Sequence, residues 1–374
     1  MKKLAFMFAA LLCATPAFAQ FGKLGDIANK AAKVKKIADV KVTDAEERQI
    51  GQQVSDRIVE DFGVYQDPAV NKYVTLVGSV LAQASARPDL DWQFVVLDTE
   101  GVNAFAAPGG FVHITKGLLG LMKNEAELAG VLAHELIHIT EKHTVNAIQK
   151  GDAFSIASDE VNASGGMTGT LVSKFADAAY KNILDNKFSR NDEGESDDKG
   201  VLLANKVGYA PTGLSDALGK LAARMAGRNE PSGLMASHPI IKDRITKIEQ
   251  TIKSKKLAAT ATAAGRYTGT IKFDAKPIDE IAVVPEGTRG LAGGEEKKKE
   301  GESKPASSGG GGGLGGALSK LSGGGKQAQQ SQTVASAGAR GVNPDRDSVG
   351  GPNKNRVKIT LTPADVEAFR KGIA

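Results

Sequence analysis

Cysteine is almost missing from this chain: the 374 residues contain one, Cys13, and it falls in a segment that the sequence marks for removal. Met1-Lys-Lys, the apolar run Leu4 to Ala14 and the closing Ala17-Phe-Ala19 form the charged, apolar and small-residue regions of a secretory signal peptide ending before Gln20. Leu12 precedes Cys13, where a lipid-anchoring signal would carry a small residue, so acylation is not expected. Without Cys13 the remaining chain can form no disulfide and perform no thiol chemistry, which is compatible with an oxidising envelope compartment. Long apolar runs are also scarce. None after the leader approaches the roughly 20 residues needed to cross a bilayer. Excess charge is slight, since removing Lys2 and Lys3 takes the formal net charge from +5 to +3, and this gives no argument for a nucleic-acid partner. Histidine is rare as well, with five in the chain: His113, His134, His138, His143 and His238.

Two of those five lie in His134-Glu135-Leu136-Ile137-His138. Residues four apart on an α-helix differ by about 40° in azimuth, so His134 and His138 project from one face, one turn apart. Two imidazoles so placed can grip one metal ion, and Glu135 beside them can hold and deprotonate a water. The surroundings read as helix: Asn124 with Glu127 makes a start signal, and Leu128, Val131, Leu132, Leu136 and Ile137 recur at helical spacing. A core helix whose histidines bond neighbouring carboxylates is the alternative reading of the motif alone.

A catalytic zinc site needs a third protein ligand. His143, five residues after His138, would be turned about 140° away on a continuous helix, and is expected at the surface. The metzincin pattern requires Gly at 141 and His at 144, where this chain has Glu141 and Thr144. The segment Phe188 to Gly200 offers carboxylates instead. Glu193 and Asp197 are again four apart, so Glu193 can ligate while Asp197 accepts a hydrogen bond from a ligating histidine. Glu195 would point the other way. A solvated acidic helix face is the competing interpretation.

With these motifs in hand, the chain resembles the bacterial HtpX/BepA-like family of zinc metallopeptidases, relatives of the CAAX prenyl endopeptidase. The resemblance runs from about Thr43 to Lys256. It includes Asn103-Ala-Phe-Ala-Ala-Pro-Gly-Gly-Phe111, the Glu193-to-Asp197 motif, and Ser237-His238-Pro239 with Arg244. It implies zinc on His134, His138 and Glu193, Glu135 as general base, and an α+β, mainly helical, zincin-like (gluzincin) domain with a small sheet. Ser196 and Asp198 depart from the family pattern, where Ala and a basic residue are common, but neither is a proposed ligand. For His238 three roles stand open: a catalytic contact to the oxyanion, a cap on the metal, or packing. Arg244 is a second candidate for an oxyanion or carboxylate contact. His113 is expected to be a structural strand histidine.

Trp92 to Asp98 reads as a buried strand, and Ala104 to Thr115 as a turn around Pro108, Gly109 and Gly110 leading into another. In similar peptidases an edge strand beside the zinc helix pairs with extended substrate, a mode suited to unfolded or misfolded protein; an ordinary hairpin is the alternative. The stretch from Gly151 to Gly169 is either a lid or a linker.

The chain therefore divides into a leader (1–19), a basic amphipathic segment (20–42) and a metallopeptidase domain (43–262). A strand-containing extension (263–290), a disordered Gly/Ser/Lys-rich linker (291–355) and a short strand-helix segment (356–374) follow. The 20–42 segment suits either an anionic membrane surface or packing on the domain. Tyr267 to Phe273 alternates like a strand, and Val357 to Ile373 reads as a strand followed by a helix opening at Thr362-Pro363, the two forming a small appendage. The expected function is zinc-dependent endopeptidase action on unfolded or misfolded envelope proteins in the periplasm. The rival is a chaperone or assembly factor for outer-membrane proteins.

Overall fold

The structure, a computed structural model, describes residues 42–150, 166–184, 188–224, 226, 241–277 and 353–373. The expected leader, nearly all of the 20–42 segment, most of the 151–169 stretch, His238 and nearly all of the glycine-rich linker lie outside the described residues.

Helix boundaries follow local chemistry. Helix α1 (Asp44–Phe62) opens on a capping box in which Thr43 accepts from the Glu46 N–H while the Glu46 carboxylate accepts from the Thr43 N–H. Helix α2 (Pro68–Ala84) begins with proline at its first position, and Asp67 caps the next two backbone donors. Three strands follow: β1 (Gln93–Leu97), β2 (Ala104–Ala107) and β3 (Phe111–Thr115). Their order is β1-β3-β2, with β3 central, parallel to β1 and antiparallel to β2. The two-residue period of the strands sorts their side chains onto two faces. Phe94, Val96, Ala104, Ala106, Val112 and Ile114 enter one apolar cluster, while Val95, Leu97, Phe105, Ala107 and Phe111 enter the other.

Each face has its own helical cover. After the short α3 (Lys116–Leu121), α4 (Glu125–Thr140) packs with α2 on the first face; α5 (His143–Lys150) and α6 (Gly169–Leu184) lie with α1 on the second. Helices α7 (Arg190–Val207), α8 (Gly213–Arg224) and α9 (Ile241–Lys255) close the far side of α4. Enclosed between β2, α2, α7 and α8, α4 is buried continuously from Glu125 to Ile139. Leu128, Leu132 and Leu136 are fully buried, each stabilising the fold by roughly 1.5–3 kcal/mol. No helix among the described residues is long and apolar enough to cross a membrane.

The strand expected over Tyr267 to Phe273 is not formed. Ala264–Thr270 is helix α10, and the residues from Ile271 to Pro277 carry no regular structure. Tertiary contacts override the alternation: the buried Tyr267 hydroxyl donates to the Leu119 carbonyl at 2.5 Å, and Arg266 reaches Glu125 in α4. At the other end, Val357 to Leu361 is likewise without strand structure, whereas the expected helix is present as α11 (Pro363–Lys371), capped by Thr362. The segment is no appendage. Val366 and Ile373 are buried in the main cluster, and the Arg266 guanidinium stacks 4.0 Å over the Phe369 ring.

Candidate metal centre

Two helices build the site. In α7, Ser189 and Asp192 form a reciprocal capping box, which fixes where the helix starts and which face it turns inward. Glu193, Asp197, Gly200 and Ala204 then form one buried stripe against α4. A Cβ at Gly200 would lie 3.0 Å from the His134 backbone nitrogen and 3.1 Å from its Cα. Glycine there lets the two helices approach closely enough for their side chains to share one focus.

That focus holds the three residues expected to act as ligands. His134 Nε2 and His138 Nε2 are 3.1 Å apart. Glu193 places Oε1 3.4 Å from His138 Nε2 and Oε2 3.8 Å from His134 Nε2. One ligand atom from each lies within 4.8 Å of the others, and all three side chains are buried. A partner behind His134 sets its tautomer. His134 Nδ1 is 3.0 Å from Asp197 Oδ1, so it donates to that carboxylate. His138 Nδ1 is 3.1 Å from His143 Nδ1. If His138 likewise carries its proton on Nδ1, two Nε2 lone pairs and a carboxylate converge at close range, and a cation is what makes such convergence favourable. The donor set of two imidazoles and one carboxylate fits a divalent metal with a coordination position to spare.

The frame around the ligands is charged and buried. Arg244 grips Asp197 with Nε at 2.8 Å and Nη2 at 2.7 Å, and its Nη1 lies 3.0 Å from Glu193 Oε2. Burial works to raise the Asp197 carboxyl, but hydrogen bonds from Arg244 and His134 outweigh it and hold the group down at about 2. Burial likewise opposes the Arg244 charge, yet Asp197, Glu193 and Glu135 raise the guanidinium above its usual range. The carboxylate contact expected of Arg244 is therefore made within the protein. Glu135, next to the first histidine, is 1% exposed.

Other candidates sort differently. His113 sits in β3, fully buried, with Nε2 2.7 Å from Ser55 Oγ. Burial, aided by the Arg356 charge, lowers it to about 3, so it is a neutral strand histidine. Asp198 accepts from Thr251 at 2.6 Å, away from the ligands.

His143 is not at the surface. Helix α4 ends at Thr140, and in the turn that follows Lys142 takes a left-handed conformation (φ 56°) before α5 begins at His143. The break turns His143 back toward the site, where it is buried against His138 and reaches Glu195 with Nε2 at 3.2 Å. Helical periodicity assumes an unbroken helix and so misplaces this residue. The signal that could have found it is a third histidine just beyond the motif, together with a second carboxylate two residues after Glu193.

Residues 68–252 match the sequence profile of Peptidase family M48. The beta-barrel assembly-enhancing protease of Yersinia pestis is 27% identical over 211 residues, covering 53% of this chain and 42% of that protein. Mitochondrial metalloendopeptidase OMA1 of Schizosaccharomyces pombe is 28% identical over 211 residues, or 54% and 60% of the two chains. Metalloprotease YcaL of Escherichia coli is 33% identical over 164 residues, or 44% and 63%. The chain thus spans about half of the curated relatives it matches, from 42% to 63% of these three.

Proposed function

Because the chain carries a peptidase family M48 domain over residues 68–252, we propose that it is a zinc-dependent endopeptidase, with the ion held by His134, His138 and Glu193. The observation that carries this reading is the convergence of those three side chains, with the His134 tautomer set by Asp197 behind it. When bound, zinc supplies Lewis acidity toward the scissile carbonyl and toward the attacking water. Glu135 takes the proton from that water and passes it to the leaving amine, so hydrolysis proceeds without a covalent enzyme intermediate. Asp197 holds the His134 ring in place, and Arg244 fixes Asp197 and the Glu193 carboxylate together.

The substrates are extended chains of unfolded or misfolded envelope proteins, reached after export through the 1–19 leader. Strand β2, at the edge of the sheet and packed against α4, is the element for backbone pairing. His238 is assigned an oxyanion contact: His238→Ala lowers turnover if so, and raises it if the residue caps the metal instead.

The experiment is zinc stoichiometry with casein hydrolysis on the protein and its Glu135→Gln variant. One zinc in each, with cleavage lost in the variant alone, is the expected result. One zinc and no cleavage in either would favour an assembly role of the kind named for the Yersinia pestis relative. No zinc would remove the ligand assignment.

A further inference from the structure

The two metal-site histidines are supported from behind in different ways. His134 leans directly on a buried carboxylate, Asp197. His138 leans on another histidine. We propose that His143 is a positioning residue for the metal site, accepting the His138 Nδ1 proton and passing the interaction on to Glu195.

One assignment of protons fits these contacts, with the Ser196 hydroxyl also 3.4 Å from His143 Nδ1. If His138 presents Nε2 inward, its Nδ1 carries hydrogen and donates to His143 Nδ1 at 3.1 Å. An imidazole accepting at Nδ1 carries its own hydrogen on Nε2 when neutral, and that nitrogen lies 3.2 Å from Glu195 Oε2. Glu195 is in turn held by Lys199 at 2.7 Å, one turn later on α7, and Lys199 reaches Glu141 at 2.8 Å. The chain His138, His143, Glu195 therefore ties the α4 ligand to the helix that supplies Glu193. Phe188 packs across the His138 ring at 4.1 Å between centroids, restricting its rotation from another side.

The fold holds His143 in this position at a local cost. A lysine at φ 56° sits in a region that residues with a Cβ adopt uncommonly. Lys142 is fixed there by its ammonium, 2.9 Å from the buried Glu47 carboxylate and 3.0 Å from Asp44. A straight continuation of α4 would carry His143 away from His138. The anchored turn aims it instead.

The inference rests on the zinc reading above, so the test separates the two. Zinc affinity is measured by chelator competition at one pH on the protein and on His143→Leu, His143→Gln and Glu195→Gln, with the melting temperature of each metal-free form. Leucine keeps apolar volume but offers no acceptor, whereas glutamine can present its amide oxygen to His138. The expected result is zinc binding weakened by about 10- to 100-fold in His143→Leu, partly restored in His143→Gln. A smaller loss is expected in Glu195→Gln, whose side chain is partly exposed and whose melting temperature is expected to stay near that of the protein. Equal affinity in the protein and His143→Leu would overturn the proposal. So would equal losses in the leucine and glutamine variants with Glu195→Gln unchanged, which would reduce His143 to packing. If His143→Leu does not fold, unaltered affinity in Glu195→Gln overturns the relay and weakened affinity supports it. Absence of zinc from the unmodified protein would instead defeat the function proposed above.

Discussion

Helix α4 carries a cluster of buried charge at each end, and the two are completed in opposite ways. At its first residue, Glu125 is fully buried and accepts four hydrogen bonds. Tyr209 and Tyr73 donate at 2.7 Å each, Arg266 Nε donates at 2.6 Å, and Arg266 Nη2 closes the second oxygen. Two turns and more along the same helix, Glu193 meets His134 and His138, again beside an arginine. The residue types are alike, but the donors differ. Around Glu125 every neighbour brings a proton, so the carboxylate is closed and the cluster joins α4 to α2, α10 and the loop after α7. Around Glu193 one donor, Arg244, reaches Oε2, while the Nε2 atoms of His134 and His138 face the carboxylate from the other side. A buried carboxylate closed on both oxygens by donors is architecture, and one that also faces imidazole lone pairs is a place for a cation.

The sharpest way to break this contrast is to replace each carboxylate. Glu193→Gln should drop zinc affinity and peptidase turnover together, by on the order of 10³-fold or more in turnover, while the metal-free protein melts at or near its original temperature. Glu125→Ala should do the reverse. It leaves Arg266 and two tyrosine hydroxyls buried without their acceptor, a loss of about 3–5 kcal/mol by urea denaturation, with zinc stoichiometry of the folded fraction unchanged. If Glu125→Ala released zinc from folded protein, the two clusters would be one unit.

Acid separates closed and charged groups from neutral ones. Asp197 has a folded value of about 2 against an ordinary 3.8. Its contribution is present above 3.8 and is lost only as pH falls through about 2, so the Arg244 clamp survives mild acid. His113, neutral at about 3 against an ordinary 6.5, takes up a proton in the unfolded chain first. Stability contributed by its burial is complete above 6.5 and declines as pH falls toward 3. Between pH 7 and pH 5 the loss is about 2 kcal/mol. Urea midpoints at the two pH values for the protein and His113→Gln test this, with the variant expected to lose most of the slope.

What the sequence revealed follows the same line. Contacts set by one helical turn were legible: Asn124 capping α4, His134 beside His138, and Asp197 behind His134 while Glu193 faces the focus. Each depends on intervals of three or four residues within an unbroken helix. His143 depends on one left-handed lysine held by Glu47, nearly a hundred residues earlier in the chain, and no local period encodes that. The alternation from Tyr267 to Phe273 is visible but misleading, because Tyr267, Ile271 and Phe273 reach the core through a helix and an irregular run without any strand to pair with. The Glu125 cluster was invisible for a related reason: its three partners come from three distant segments.

The smallest effect separates support from function within α7 itself. Gly194 lies between Glu193 and Glu195, yet a Cβ there would meet nothing within 4 Å. Its helical backbone carries the entropy cost of glycine without using the space, so Gly194→Ala should stabilise the protein by about 0.5–1 kcal/mol. Zinc affinity should not change. Gly200, six residues later on the buried stripe, gives the opposite sign, because its new Cβ would press on the His134 backbone at 3.0 Å. Gly200→Ala should destabilise and, by forcing α7 away from α4, weaken zinc binding as well. Thermal melts with and without zinc for both variants decide it: a Gly200→Ala protein that kept its zinc affinity would show that helix spacing does not set the metal site, and a Gly194→Ala protein that gained no stability would show that the glycine there costs the helix nothing. The metal site needs α7 at one distance from α4 while tolerating a stiffer α7, so strengthening the helix and moving it are separable changes.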